Sequence, residues 1–186
     1  FFGNKSIEEN AIPMKNVSEA MGLQNAILSN FERALTCSNE VERQELLNIV
    51  IVGGGATGVE IAGALSEMKN FVVPKDYPDL PKSLVNIYLI EAGERLLSSM
   101  SNESSLSVEN FLRRMGVNVL LNKMVTEFKE NKVYLKDGST IATRTFIWVS
   151  GVAGVKIDNM PKESVGRGNR IEVDAYNQVK GMSDVF

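Results

Sequence analysis

The stretch Val50-Ile51-Val52-Gly53-Gly54-Gly55-Ala56-Thr57-Gly58-Val59-Glu60-Ile61-Ala62-Gly63 decides the fold. Its opening residues close a β-branched run over 48–52, bounded by glycines, which reads as a buried parallel strand. From residue 56 to 68 the apolar residues return at helical spacing. Between strand and helix, Gly53, Gly55 and Gly58 fit Gly-x-Gly-x-x-Gly. The pattern alone is unspecific. Placed after a strand and at the opening of a helix, it is the arrangement that receives a dinucleotide pyrophosphate.

Each glycine has its own physical reason. Gly53 permits the tight turn out of the strand, Gly55 lacks the Cβ that would stand between backbone and pyrophosphate, and Gly58 lets the helix pack close to the strand. The helix then opens with Ala56 and Thr57, whose N–H groups and dipole face the phosphates. Ala62 and Gly63 are expected to keep the helix face small where it meets the sheet. The alternative is a glycine-rich turn without a ligand, which three glycines at this spacing would only weaken.

Working outward, Val85–Ile90 reads as the second strand and Glu91 as the carboxylate at its end. An acid there accepts hydrogen bonds from the adenosine ribose hydroxyls and repels a 2′-phosphate, favouring NAD over NADP. The interval from the glycines is longer than the usual ~20 residues. A loop insertion between Lys69 and Lys82, punctuated by Pro74, Pro78 and Pro81, accounts for the excess. The plain alternative for Glu91 is a solvated charge at a strand end. Arg95 is assigned to pairing with Glu94 or to solvent, the alternative being accommodation of a 2′-phosphate. Glu60 is either a contact to the nicotinamide end or a favourable acid near a helix N-terminus. Gly151, Val152 and Ala153 follow the last strand at its C-terminal end, where open α/β sheets take ligands, and are expected to approach the nicotinamide. Their alternative is an exit loop. Trp148 is expected in the core.

The remaining elements follow from periodicity. Val17 to Thr36 is helical, with Asn16 and Glu19 at capping-box spacing, and 39–47 extends it into a hairpin. Ser101 to Met115 is a helix with Leu106, Phe111, Leu112 and Met115 as its apolar side. Val117–Leu121 is a third strand, and Val125–Phe128 and Val133–Leu135 alternate like an antiparallel meander closed by the Asp137-Gly138 turn. Thr145–Val149 is the last strand. The order β-α-β-α-β, meander, β predicts an α/β fold with an open parallel sheet.

Composition narrows the chemistry. The chain of 186 residues has no histidine, one cysteine and a net charge of −3. Imidazole catalysis, His metal sites and an internal disulfide are therefore excluded. Cys37 reads as a small apolar residue near a helix end. Nothing is basic enough to suggest nucleic acid, and no apolar run approaches the ~18 residues of a membrane span.

At these residues the chain resembles the pyridine nucleotide-disulfide oxidoreductases, an FAD-dependent superfamily, and is most similar to type II NADH:quinone oxidoreductases. The resemblance rests on Val52 to Gly63, on Leu89-Ile90-Glu91-Ala92-Gly93-Glu94-Arg95-Leu96-Leu97, on the Asp137-Gly138 meander and on Phe146-Ile147-Trp148-Val149-Ser150-Gly151-Val152. Phe1-Phe2-Gly3, Glu19-Ala20, Ile171-Glu172-Val173-Asp174 and Asp184-Val185-Phe186 also match. The lone Cys37 does not match the paired cysteines of the disulfide-reductase branch.

The resemblance implies a Rossmann-type FAD/NAD(P)-binding fold. Residues 48–150 would be the NAD(H)-binding domain, 1–47 a helical flank belonging or linking to a flavin domain, and 151–186 an incomplete return segment toward it. It implies NADH contacts from Gly53, Gly55, Ala56, Thr57, Gly58, Glu60, Glu91, Gly151, Val152 and Ala153, with no catalytic residue and no metal among them. The implied function is the NAD(H)-binding portion of a respiratory NADH dehydrogenase that passes hydride to FAD and electrons to a quinone. FAD is expected in the full-length protein and not on this chain. The alternatives are part of another FAD-dependent reductase or a non-catalytic dinucleotide-binding module. Pairing between copies is expected, as is a cytoplasmic location. The full-length protein is expected peripherally on the inner face of the cytoplasmic membrane, without membrane contact from these residues.

Overall fold

The computed structural model describes residues 5–151, 154–166 and 168–186. The chain divides into a unit of residues 1–150 and a second of residues 151–186.

The first unit is built on β1 (Asn48–Val52), whose five residues are all buried. It lies between β2 (Asn86–Ile90) and β7 (Thr145–Trp148), with β3 (Val117–Leu120) beyond β2, giving a parallel sheet of order β3-β2-β1-β7. Side chains of a strand alternate between faces, and here each face meets a different layer. Ile49, Ile51, Ile87, Leu89 and Ile147 join the helices α2 (Val17–Thr36), α4 (Ala56–Glu67) and α6 (Asn102–Arg114). Val50, Val52, Ile90, Phe146 and Trp148 turn the other way and pack against a meander of β4 (Val125–Lys129), β5 (Lys132–Leu135) and β6 (Thr140–Ala142). Phe128 stacks on Phe146 with ring centroids 4.6 Å apart. A strand covered on both sides has to be apolar throughout, which is why β1 shows no alternation in sequence.

The N-terminal helices pack in this same unit. α1 (Lys5–Asn10) buries Ile7 against the meander side, and Ser6 Oγ donates to Phe128 O at 2.7 Å. Ile12 then bridges to β7 as an extended neighbour. Asn16 caps α2 as expected, accepting from Glu19 N at 2.9 Å. The Glu19 carboxylate returns to Lys15 N, one residue before the cap. α2 buries Leu23, Ile27, Phe31 and Ala34 and leaves Val17, Met21 and Leu35 exposed. α3 (Glu40–Leu47), capped by Asn39, leads directly into β1.

Two sequence expectations are corrected. The proline-punctuated segment does not begin as a loop. α4 continues through a π-helical turn, Met68–Val72, into α5 (Val73–Asp76), with Pro74 in its first turn. Val73 N–H reaches back to Met68 O. Proline lacks an N–H and crowds the carbonyl four residues before it, and a locally wider turn receives it without ending the helix. The buried face of α6 is also only partly the expected one: Leu112 is buried as expected and Met115 half-buried. Leu106 and Phe111 are exposed, while Ser105 is buried. A buried serine with its own acceptor carries no apolar signal, and Phe111 lies beside the Arg114 guanidinium instead.

At the end of the sheet where the parallel strands begin, a polar network replaces apolar contact. Asn48 donates to Ala142 O and accepts from Gln44 and Asn86. Thr143 Oγ1 donates to Asn48 O, and Asn30 Nδ2 donates to the buried Thr145 Oγ1 at 3.0 Å.

The second unit has little regular structure. A 3-10 turn, Lys162–Ser164, and bridges between Val165 and Ile171 and between Val173 and Val179 organise it. Lys180 meets Glu172 at 2.7 Å and holds that carboxyl below its usual range. No helix among the described residues is long and apolar enough to cross a membrane.

Thr145→Val is isosteric but strands the Asn30 amide in the core. It is expected to cost about 1–3 kcal/mol, read as a lowered urea midpoint. An unchanged midpoint refutes the role given to this bond.

Candidate dinucleotide site

The register places Val52 between Ile90 and Trp148. The residues that follow, Gly53, Glu91 and Val149, therefore leave the sheet along one edge. From β1 the chain proceeds to β2 and β3 on one side, while β7 is added on the other. The edge beyond β1 is thus the point where connectivity reverses, the place at which open α/β sheets take ligands.

Gly53 sits at φ 120°, and a Cβ there would come 2.8 Å from Ser150 N. Backbone conformation and space both demand glycine. A Cβ on Gly58 would lie 1.8 Å from Gly53 O. The close approach the sequence assigned to helix and strand is in fact an approach of the helix to the turn carbonyl. Ala62 is fully buried as expected, but Gly63 is not required by packing, since a Cβ there meets nothing within 4 Å.

Gly55 is the opposite case. It is the N-cap of α4 at φ −76°, ψ −175°, a conformation any residue adopts, and a Cβ would meet nothing within 4 Å. Serine, aspartate or asparagine would cap the helix better. The protein itself has no use for glycine at this position. The first intrahelical bond runs from Val59 N to Gly55 O at 3.1 Å, so the amides of Ala56, Thr57 and Gly58 have no acceptor within the helix. No side chain caps the turn and no acid stands in its first turn. Ala56 and Thr57 are exposed. The positive end of the helix dipole is open to an anion.

Glu91 is half-buried and already engaged. Its Oε2 accepts from Gly54 N at 2.6 Å and its Oε1 from Gly93 N at 2.7 Å. A carboxylate offers about four acceptor sites, so capacity for ribose hydroxyls remains. Sequence reading found the acid but missed this second task, and it missed Gly54, which is clamped rather than free. Arg95 is half-buried, and the partners of its guanidinium do not include Glu94. Its guanidinium donates to Ser98 O and Met100 O in its own loop and to Asn102 Oδ1 at the first residue of α6.

Glu60 is exposed in the second turn of α4. Trp148 is core as expected, its Nε1 donating to Ser150 O at 2.8 Å and its ring edge-on to Phe146. Gly151 opens the second unit at φ 81°. Val152 and Ala153, also assigned to the site from sequence, lie outside the described residues.

Comparison with known proteins gives the family. The family model described as pyridine nucleotide-disulphide oxidoreductase matches residues 9–186, and the chain belongs to that family. A type II NADH:quinone oxidoreductase of Haemophilus influenzae is 35% identical over 189 residues, covering 96% of this chain and 41% of the relative. An external alternative NAD(P)H-ubiquinone oxidoreductase of Arabidopsis thaliana mitochondria is 31% identical over 192 residues, covering all of this chain and 33% of the relative. The chain thus spans about a third to two-fifths of the length of these relatives. A solved structure of NDH2 from Plasmodium falciparum in complex with NADH shares the fold, with a TM-score of 0.77 at 24% identity over 83% of this chain and 32% of that one.

The two motif glycines with opposite surroundings separate on substitution. Gly58→Ala forces the helix off the turn and is expected to cost about 1–3 kcal/mol, whereas Gly55→Ser is expected to shift stability by no more than a few tenths of a kcal/mol. Chemical unfolding of both variants checks this. Equal losses would show that the turn tolerates or rejects a side chain regardless of position.

Proposed function

We propose that this member of the pyridine nucleotide-disulphide oxidoreductase family binds NADH at the turn between β1 and α4. We read it as the NAD(H)-binding portion of a flavin-dependent NADH dehydrogenase that passes hydride to FAD and electrons on to a quinone. One observation carries the reading. Gly55 is a glycine that neither backbone nor packing requires, at the mouth of an uncapped helix N-terminus. A residue kept small where the protein leaves open space is accounted for by a ligand that comes against the backbone. The names of the relatives, among them a type II NADH:quinone oxidoreductase, support the choice of ligand.

On this reading the amides of Ala56, Thr57 and Gly58 receive the pyrophosphate, and the free acceptor sites of Glu91 receive the adenosine ribose hydroxyls. A 2′-phosphate would meet the same carboxylate, and the Arg95 guanidinium four residues on is already bonded to Ser98, Met100 and Asn102. NADH is therefore favoured over NADPH. Glu60 is assigned to the nicotinamide end, and the part of Gly151, Val152 and Ala153 rests on sequence alone. Bound NADH supplies the hydride. The chain's own residues bind and orient the cofactor, and none of them acts as an electron acceptor. FAD is assigned to a longer protein of this kind, since the described residues hold a single strand–glycine turn–helix of this spacing. That longer protein would work peripherally on the inner face of the cytoplasmic membrane, where a quinone is reached from lipid.

Titration calorimetry tests the assignment. The chain is expected to bind NADH more tightly than NADPH. Glu91→Ala is expected to weaken NADH by about tenfold or more, as the loss of charge-assisted hydrogen bonds requires. Gly55→Ser is expected to remove most NADH affinity at unchanged stability. Equal affinity for the two nucleotides in the unmutated chain would sink the Glu91 assignment, and normal NADH binding by Gly55→Ser would sink the pyrophosphate site.

The purified chain is also expected to show no flavin absorption band and no steady oxidation of NADH with a soluble quinone. Flavin retained at near one per chain would overturn the division of labour.

A further inference from the structure

Gly54 is not one of the three motif glycines, yet it is held on both sides of its peptide by residues from another part of the chain. Its N–H donates to Glu91 Oε2 at 2.6 Å and its carbonyl accepts from Leu97 N at 2.8 Å. A Cβ on it would lie 2.7 Å from Leu96 Cδ2 and 3.0 Å from the Glu91 side chain. All these partners belong to one segment, the connection from β2 to α6.

That connection is strained where it touches the turn. Leu97 has φ 49°, in the left-handed region, which a bulky residue rarely enters unless its surroundings over-determine it. The surroundings here do so. Arg95 Nη2 donates to Ser98 O at 2.7 Å, and its Nη1 donates to Met100 O at 3.1 Å and Asn102 Oδ1 at 2.6 Å. Ser105 Oγ donates to Leu96 O at 2.5 Å, and Met100 N donates to Leu97 O at 2.8 Å. Leu96 and Leu97 are both buried in the helix-side core. A segment that only had to reach α6 would have no need of a left-handed leucine. What the strain produces is a grip on both sides of the Gly54 peptide, between Gly53 and Gly55. The same grip fixes Glu91, since two of its acceptor sites are taken by Gly54 and Gly93.

We propose that the loop from Ala92 to Ser101 is a clamp that presets the glycine turn for its dinucleotide, with Arg95 as the positioning residue that keeps it closed. The proposal rests on the NADH reading above. Arg95 acts through Leu97 and Gly54 and touches no cofactor. Its planar fork suits three acceptors spread over Ser98, Met100 and Asn102, and a lysine ammonium on a flexible stem does not replace it. A turn released from the clamp spends only part of its time in the competent arrangement, and apparent affinity falls by that fraction.

The experiment uses the 186-residue chain with Arg95→Met, which keeps the stem and removes the fork, and with Arg95→Lys. Amide hydrogen exchange is followed at Gly54 and Leu97, with Ile49 to Val52 of β1 as the internal reference, and NADH affinity is measured by calorimetry. Arg95→Met is expected to speed exchange at Gly54 and Leu97 while the β1 amides stay protected. It is expected to weaken NADH by about tenfold, corresponding to a turn competent about a tenth of the time. Arg95→Lys falls between the two. If Arg95→Met does not fold, Asn102→Ala, which removes one of the three acceptors, is expected to shift both readouts in the same direction by less.

Unchanged exchange at Gly54 overturns the clamp, and unchanged NADH affinity in the face of faster exchange overturns its role in binding. A wild-type chain that does not bind NADH overturns the functional reading on which the proposal rests. The exchange result would then still decide whether Arg95 holds the turn.

Discussion

The contact on which the site depends is the approach of the Gly58 α-carbon to the Gly53 carbonyl. It leaves no room for a single methyl group and therefore fixes where α4 begins relative to the end of β1. That contact holds the helix start against the strand end and so keeps its unpaired amides at the sheet edge. Burial of β1 on both faces makes the approach affordable: a strand locked by Ile49 and Ile51 on one side and Val50 and Val52 on the other does not yield when the helix presses on its exit.

The two ends of the parallel sheet are built on different principles. Where the strands begin, Asn30 bonds to Thr145, Thr143 to the Asn48 carbonyl, and the Asn48 side-chain amide to Gln44, Asn86 and Ala142 O. Where they end, the helix amides of Ala56 and Thr57 and the spare acceptor sites of Glu91 are left over. The exposed helix amides and the spare carboxylate sites at this edge are free to meet a polar group from outside. A dinucleotide, anionic at its pyrophosphate and hydroxyl-rich at its riboses, matches that inventory.

Much of this was legible in sequence because it rests on local rules. The strand–turn–helix of 48–67 shows a change of period with glycines at the junction, α2 begins at a cap that can be read letter by letter, and the meander alternates around Asp137-Gly138. What escaped depended on partners distant along the chain. Pro74 reads as a stop, and only the wider turn over Met68–Val72 lets the helix pass it. Leu106 and Phe111 read as part of the core face with Leu112, but only Leu112 is buried there, together with Ser105, whose hydroxyl finds Leu96 O. Arg95 reads as one of a pair with Glu94, because the three oxygens it binds are backbone and amide groups with no signature. Glu91 was found, but its bond to Gly54 joins residues of two different crossovers, and no spacing encodes that.

The polar network at the start of the strands has one more consequence, for the specificity of folding. Beyond their polar first residues, β1, β2 and β7 are mostly apolar, and Ile49 and Ile51, Val50 and Val52, or Ile87 and Leu89 are nearly interchangeable. A slip of two residues between neighbouring strands would keep every side chain on its own face and bury almost the same surface. Hydrophobicity alone therefore discriminates poorly between the native alignment and its shifted competitors. Amide and hydroxyl groups do discriminate, because a slip would pull Asn48 from Asn86 and Thr143 from Asn48 and leave them unpaired in the interior. Correct alignment is what brings Glu91 beside Gly54 at the far edge. The polar residues at the closed end of the sheet thus act as an alignment key, and the geometry of the open end is inherited from them.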